Sequence, residues 1–365
     1  MPIFGLLSDT HDIDPRVISA VIDEFKNRGV EVIIHCGDIE AQHLNAELFG
    51  DLPVFCALNA EQLEKPGFKT FPPNWTFTVP GERVIDILHV RVYLGHKRSF
   101  DFLKTSEQNV MVFLDTLRKD NDGLRWVLSG HTHHQIFAQT HQVNLLNPGA
   151  IQDGFDGYEF AVIDTDKNGK GEIVFSRIQK TNPTIPTFSV GVISDSSRIS
   201  KKDPTFWRKL ANEFSARDAR KIIHCGNVAP EDIGRPELEQ FAVFYTLRPD
   251  QAGKVKSHPS NWRQINPEEP IVEINGYRFY VELDLGISLL ERTELDMHNL
   301  CLGLRRRYNE LDFVLCGFTH NALFVEQDQT CLLNPGDIIN DRNFAVICLP
   351  RNEVTFGHVP LDPIF

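Results

Sequence analysis

The chain has 365 residues, 41% hydrophobic and 24% charged, with a formal net charge of −13. That length is roughly two ordinary domains, the composition is that of a globular protein with a sizeable core, and the acidic balance disfavours nucleic acid as a general partner, since phosphate backbones need concentrated Lys and Arg. No apolar run approaches the roughly 18 residues of a membrane helix, the N-terminus has no basic-apolar signal pattern, and seven cysteines without C-x-x-C pairs predict reduced thiols in a cytoplasmic setting with no membrane partner.

In chain order, Ile3 to Leu7 is a short apolar run that reads as a buried strand, and Ser8-Asp9-Thr10-His11 follows at its end. Pro15 to Arg28 is amphipathic, with Val17, Ile18, Val21, Ile22 and Phe25 on one face and Gly29 as its stop. Glu31 to Ile34 is a strand leading to Gly37-Asp38, Leu44 to Phe49 a short helix, and Val54 to Leu58 another strand. Trp75 to Val90 mixes apolar and polar residues as antiparallel strands would, and Val92 to Leu94 ends at Gly95-His96. Glu107 to Arg118 is helical, Trp126 to Leu128 runs into Gly130-His131-Thr132-His133, and Ile136 to Arg177 reads as a strand meander. Strand–helix alternation followed by strand runs predicts an α/β sandwich with stacked sheets.

The chain then repeats itself. Ile34-His35-Cys36-Gly37-Asp38 returns as Ile223-His224-Cys225-Gly226-Asn227, and Asn74-Trp75 as Asn261-Trp262. Leu145-Leu146-Asn147-Pro148-Gly149 returns as Leu332-Leu333-Asn334-Pro335-Gly336, and Leu6-Leu7-Ser8-Asp9 as Val192-Ile193-Ser194-Asp195. The offsets are nearly constant, which predicts a tandem duplication: one domain over 1–180 and a second over 188–365, joined by the Pro/Thr-rich stretch Thr181 to Thr187. His35 and His224 recur in both halves and read as fold residues; Trp75 and Trp262 do so too, which favours packing.

Five separate strand ends of the first half each deliver a polar side chain: Asp9 and His11, Asp38, Asn59, His96, then His131 and His133. Carboxylate and amide oxygens mixed with imidazoles suit two hydrolytic divalent metals better than one structural zinc. In this order the motifs resemble the calcineurin-like metallophosphoesterase family, whose pattern runs D-x-H, G-D, G-N-H/C-[ED], G-H and G-H-x-H. Asn147-Pro148-Gly149 is similar to a turn of that family's short phosphodiesterase branch.

The resemblance implies an α/β/β/α sandwich, here in two tandem copies, and a set of roles. Asp9, His11 and His133 would hold one metal, Asn59, His96 and His131 the other, and Asp38 would bridge both; manganese, iron, zinc and nickel all occur in the family. It also implies a metal-bridging hydroxide attacking phosphorus in line, with Asp38, Asn59 and His96 nearest the chemistry. A small phosphate ester would be the substrate, contacted by Asn59. Lys97 and Arg98, which follow His96, read equally as a phosphate contact and as a solvated basic pair. Ala60 departs from the pattern, standing where the family carries a His or Cys that helps protonate the leaving group, and Leu58 replaces its Gly. General-acid help is worth roughly 10²–10⁴-fold, so Ala60 predicts phosphodiesters, with their better leaving groups, over monoesters.

The second half keeps the skeleton and loses the ligands. Asp195 and His320 match Asp9 and His133, but Ser197, Asn227, Arg248, Leu283 and Phe318 stand for His11, Asp38, Asn59, His96 and His131. That half reads as a degenerate copy and a candidate surface for a protein partner. The alternative class of function is accordingly a non-catalytic scaffold on the same fold, as the retromer subunit related to this family illustrates; fold alone does not decide between them.

Overall fold

The computed structural model describes residues 2–68, 70–80, 83–96, 107–140, 142–152, 157–165, 171–179, 186–197, 199, 203–255, 258–285, 294–317, 319–327 and 330–360. The chain folds as two compact units, Met1–Thr105 with Asn109–Thr184, and Ile185–Phe365 with Ser106–Gln108. Residues 181–185 of the Pro/Thr-rich stretch, together with Lys97, Arg98 and Phe318, lie outside the described residues.

In the first unit, β1 (Ile3–Leu7), β2 (Val32–His35), β3 (Val54–Ala57) and β4 (Trp75–Thr78) run parallel in sequence order. The second sheet of this unit draws on β5 (Val84–Ile87), β6 (Val90–Leu94), β7 (Leu124–Leu128), β8 (Gln135–Gln139) and β9 (Asn144–Pro148), in the order β8-β9-β7-β6-β5. Its central β9, β7 and β6 are parallel and its two outer strands antiparallel. The last strands, β10 (Gly157–Thr165) and β11 (Gly171–Gln179), return to the first sheet, β10 lying antiparallel on β1.

Two expectations from the sequence change here. The stretch from Trp75 to Val90 is not one antiparallel set, because β4 pairs in parallel with β3 while β5 opens the other sheet. The strands between Ile136 and Arg177 likewise divide between the two sheets. Alternation of apolar and polar residues reports the pleat of a strand, not its partner.

Helix α1 (Pro15–Asn27) packs its Ile18, Val21, Ile22 and Phe25 face on this first sheet, in one cluster with Leu7, Ile33, Val54 and Phe160. It begins where Asp14 accepts the Arg16 N–H at 2.9 Å with Pro15 at the first helical position, and it stops before Gly29 at φ 72°. The short helices α2 (Ala46–Phe49) and α3 (Ala60–Glu64) follow β2 and β3, and α4 (Glu107–Asp120) links β6 to β7. Trp75 is buried edge-on against Phe49, as packing requires.

The second unit repeats the plan. Strands β12 (Phe188–Ile193), β13 (Ala219–His224), β14 (Ala242–Tyr245) and β15 (Trp262–Gln264) are parallel. Helix α5 (Phe206–Ala216) lies after β12, as α1 does after β1, and the one-turn α6 (Pro249–Ala252) follows β14. Its second sheet uses β16 (Ile271–Ile274), β17 (Tyr277–Glu282), β18 (Phe313–Cys316), β19 (Ala322–Gln327) and β20 (Thr330–Pro335), with α7 (Glu294–Tyr308) between β17 and β18. It is ordered β19-β20-β18-β17-β16, and β21 (Asn343–Leu349) and β22 (Glu353–His358) close the first. Among the described residues each unit thus pairs a six-stranded with a five-stranded sheet in one connectivity. Among the described residues no helix is long and apolar enough to cross a membrane.

Candidate metal centre

The carboxyl ends of parallel strands are where open α/β sheets place ligands, and here several of them converge. Asp9 and His11 follow β1, Asp38 follows β2, His96 follows β6, and His131 and His133 follow β7. Five of these residues take left-handed backbone that L side chains rarely adopt: Asp9 (φ 52°), His11 (35°), Asp38 (55°), His131 (79°) and His133 (62°). Each turn redirects a side chain that would otherwise continue the pleat. The neighbouring glycines are needed for close approach. A Cβ on Gly37, itself at φ 104°, would lie 2.2 Å from His96 Cβ, and one on Gly130 would lie 1.9 Å from Ser8 Oγ and 2.7 Å from Asp9 Oδ2. The glycines of the G-D and G-H motifs thus clear the space in which the site assembles.

Two groups of three form, with all ligand atoms in each within 4.8 Å of one another: Asp9, His11 and His133, and Asp9, Asp38 and His96. Among the described residues both such groups of His, Cys and carboxylates lie in the first unit. Asp38 Oδ2 lies 3.5 Å from His11 Nδ1 and 3.9 Å from His96 Nε2, so one oxygen faces imidazoles of both groups. Asp9 is shared as well, its Oδ1 lying 3.2 Å from His133 Nε2 and 3.9 Å from His96 Nε2. His131 contributes differently: its backbone N–H donates to Asp9 Oδ2 at 3.0 Å, and its ring meets the His96 ring edge to face at 5.3 Å. Asn59 caps α3, its Oδ1 accepting from Gln62 N–H at 2.8 Å while Gln62 Oε1 accepts from Asn59 N–H. That amide oxygen has a second lone pair. Ala60, the next residue, is exposed at the first turn of α3 and carries no acid.

The site's charge balance is unusual. Asp9 is fully buried, and its Oδ1 receives no hydrogen bond despite the imidazoles around it. Burial alone would raise the Asp9 carboxyl; His133, the charge of His96, Ser8 and the His131 N–H outweigh it and hold the group below the usual carboxylate range. The carboxylate in turn raises the His133 imidazole. A buried, orphaned carboxylate oxygen between nitrogen donors is the arrangement a divalent cation completes, and mixed nitrogen and oxygen donors suit a borderline metal. The residues present therefore fit the group their types suggest.

Three supporting contacts escaped the sequence. His96 Nδ1 donates to the Cys36 carbonyl at 3.2 Å, which leaves Nε2 to face the carboxylates, and Gln152 Nε2 lies 2.9 Å from His133 Nδ1. A backbone carbonyl carries no residue signature, and Gln152 sits at no motif spacing. The third is a bracket: Asn147 Nδ2 donates to the Gly130 carbonyl at 3.0 Å and to Thr132 Oγ1 at 2.9 Å, pinning the loop that bears His131 and His133. Asn334 repeats it on Gly317 and Thr319. His35 behaves as its recurrence suggested, accepting from Gly37 N–H at 3.1 Å and pairing with Thr10 Oγ1, while complete burial pushes its pKa down to about 3 and keeps it neutral.

The profile described as "Calcineurin-like phosphoesterase superfamily domain" matches twice, over residues 3–168 and 188–349. The chain belongs to the calcineurin-like phosphoesterase superfamily and carries two copies of its domain. It is 26% identical over 184 residues to a phosphodiesterase of Methanocaldococcus jannaschii, a match covering 47% of this chain and 97% of the relative. A probable metallophosphoesterase of Methanothermobacter thermautotrophicus is 27% identical over 150 residues, 40% of this chain and 76% of the relative. Among solved structures, an archaeal phosphodiesterase aligns at 20% identity with a TM-score of 0.36, covering 48% of this chain and 99% of that one.

Proposed function

We propose that the first unit is a dinuclear metal-dependent phosphoesterase, with phosphodiesters as its preferred class, and that the second unit is a copy without metals. The observation that supports this most directly is the pair of ligand groups joined through Asp9 and Asp38. On this reading Asp9, His11 and His133 hold one cation and Asn59, His96 and His131 the other, with Asp38 between them. Bound divalent cations supply charge neutralisation at phosphoryl oxygens and activation of water near neutral pH. The chain's own part is to fix these donors: the left-handed turns aim them, the Cys36 carbonyl and Gln152 lock two imidazoles, and Asn147 holds the loop. Lys97 and Arg98 remain candidates for phosphate contact by their position after His96. The exposed methyl of Ala60 leaves no acid there to protonate a poor leaving group, which is why diesters of acidic alcohols are preferred. Small phosphate esters are the substrates on this reading. Among the described residues the seven cysteines form no disulfide, and six of them are buried, which fits a reducing, cytoplasmic setting.

The test is manganese-dependent hydrolysis of bis(p-nitrophenyl) phosphate against p-nitrophenyl phosphate, with Asp38→Asn alongside. Even partners one shell out from a metal typically cost about 10–100-fold when removed, so losing the shared carboxylate is expected to cost at least about a hundredfold. The diester is expected to turn over faster than the monoester. Absence of turnover with manganese, zinc, nickel or iron favours the scaffold reading, which Ala60 also supports; monoester turnover exceeding diester turnover removes the diester preference alone.

A further inference from the structure

The second unit has lost the donors of the first, yet the same strand ends still enclose space. Ser197, Asn227, Arg248 and His320, which stand for His11, Asp38, Asn59 and His133, all line a cleft of about 550 Å³. Lys254 adds a second fixed cation, and Glu231 and Asp250 are the carboxylates of the cleft. A second cleft of about 420 Å³ is lined by Leu247, Ile265, Pro267, Pro270 and Leu283, the last standing where His96 does in the first unit. Arg248 lines both.

The charge logic is inverted relative to the first unit. Asp38 becomes Asn227, which removes a carboxylate, and Asn59 becomes Arg248, which adds a guanidinium. The carboxylate that matches Asp9, Asp195, is already satisfied: Asn227 Nδ2 donates to its Oδ1 at 3.1 Å and Ser194 Oγ to its Oδ2 at 2.9 Å, while His320 Nδ1 lies 3.9 Å from Asp195 Oδ2 and 3.8 Å from Oδ2 of buried Asp337. Neither Asp195 oxygen is left to ask for a cation, unlike Asp9 Oδ1. Arg248 is held for a different purpose. Its backbone N–H donates to Gln251 Oε1 at 3.2 Å and its Nε to Asp250 Oδ1 at 3.0 Å, and Asp250 Oδ2 lies 3.8 Å from Lys254 Nζ, so one carboxylate holds both cations at the cleft. Two parallel N–H groups in a plane match two oxygens of a phosphoryl group, which a point charge does not.

We propose that this unit binds an organic phosphate without metal, its phosphoryl group on Arg248, Lys254 and His320 and its apolar group against Leu283 and Ile265. Glu231 and Asp250 offset the two fixed cations, and Glu282 and Asp284 line the second cleft, so recognition rests on the guanidinium geometry and apolar contact rather than on a positive field. A bare phosphate therefore binds weakly and an aryl phosphate better.

The experiment uses the full chain in excess EDTA, so that cation-dependent binding and turnover in the first unit do not enter and the two proposals fail independently. Phenyl phosphate and inorganic phosphate are titrated by calorimetry. Phenyl phosphate is expected to bind saturably at one site, at least about tenfold tighter than inorganic phosphate, as burial of part of a ring implies. Arg248→Ala is expected to weaken phenyl phosphate by about tenfold or more, and Arg248→Lys, which keeps the charge and loses the fork, by nearly as much. Leu283→Ala is expected to narrow the gap between the two ligands, whereas Asp38→Asn changes neither. Matching thermal midpoints identify variants that have kept their fold. No saturable phenyl phosphate binding in EDTA, or unchanged affinity in folded Arg248→Ala, overturns the proposal.

Discussion

The two units share a backbone and differ in what it carries. Asp9 and Asp195 sit at φ 52° and 57°, Asp38 and Asn227 at 55° and 56°, and His133 and His320 both at 62°. The left-handed turn survives at Asn227, where a carboxylate has been replaced, though not at Ser197, which stands for His11, so strain alone does not mark the site here. It belongs to the scaffold, which delivers side chains to the strand ends whatever they are. The chemistry lies in two local differences. In the first unit Asp9 Oδ1 is left without a hydrogen bond beside a second carboxylate; in the second, Asn227 and Ser194 satisfy Asp195. One unit leaves a buried carboxylate oxygen unsatisfied and the other satisfies its counterpart.

The largest effect that separates them should come from the glycines beneath the site. A Cβ on Gly130 would fall 1.9 Å from Ser8 Oγ, but one on Gly317 would fall 2.9 Å from Ser194 Cβ. Overpacking costs about 1–3 kcal/mol, and Gly130→Ala is expected near the upper end, about 3 kcal/mol, with Gly317→Ala near about 1 kcal/mol. Because Gly130→Ala also presses on Asp9 Oδ2, it should abolish metal binding. Urea unfolding and metal titration check both; equal costs would mean that the two loops are equally tight and the comparison drawn from Gly130 is wrong.

Cation binding gives the next effect. A ligand at 100 times its dissociation constant stabilises the folded state by about 2.7 kcal/mol. Adding manganese to chelated protein should therefore slow amide hydrogen exchange in peptides from β1, β2 and β7 and leave those from β12 and β13 unchanged. Protection that rises equally in both units would remove the distinction between them. His133→Ala should abolish the change.

Much of this was legible in the chain, for a physical reason. The candidate ligands stand at points where apolar runs end in Gly-Asp, Gly-His or Asp-x-His, and such punctuation is local, so Asp9, His11, Asp38, His96 and His133 could be picked out once the motifs were read together in order. The repeat of Cys36-Gly37 as Cys225-Gly226 announced the second copy in the same way. What was not legible depends on tertiary contact. That β4 joins β3 while β5 starts another sheet is decided by pairing, which a period of two does not encode. The Cys36 carbonyl on His96 and Gln152 on His133 leave no pattern, because one is backbone and the other an isolated amide. Asp9's sharing between both ligand groups appears only when the strands are side by side.

The smallest effect is the most direct probe of why the second unit is complete. Asn227→Asp restores the residue of the first unit at a position where the Asn227 amide now donates to Asp195 Oδ1 at 3.1 Å. The variant replaces that donor with a second carboxylate, and two carboxylates sharing one site cannot both ionise without one pKa rising strongly. A lost hydrogen bond to a charged group costs about 1.5–3 kcal/mol, and the second unit should be destabilised by about 2 kcal/mol at neutral pH. Above its folded pKa the raised group is ionised in both the folded and the unfolded state, so the penalty is full there. It should fade as pH falls through that value towards the ordinary aspartate range near about 4. Urea unfolding of wild type and variant at several pH values reads this directly. A pH-independent difference would mean that Asn227 contributes shape rather than charge, and that the second unit's independence of cations has another source.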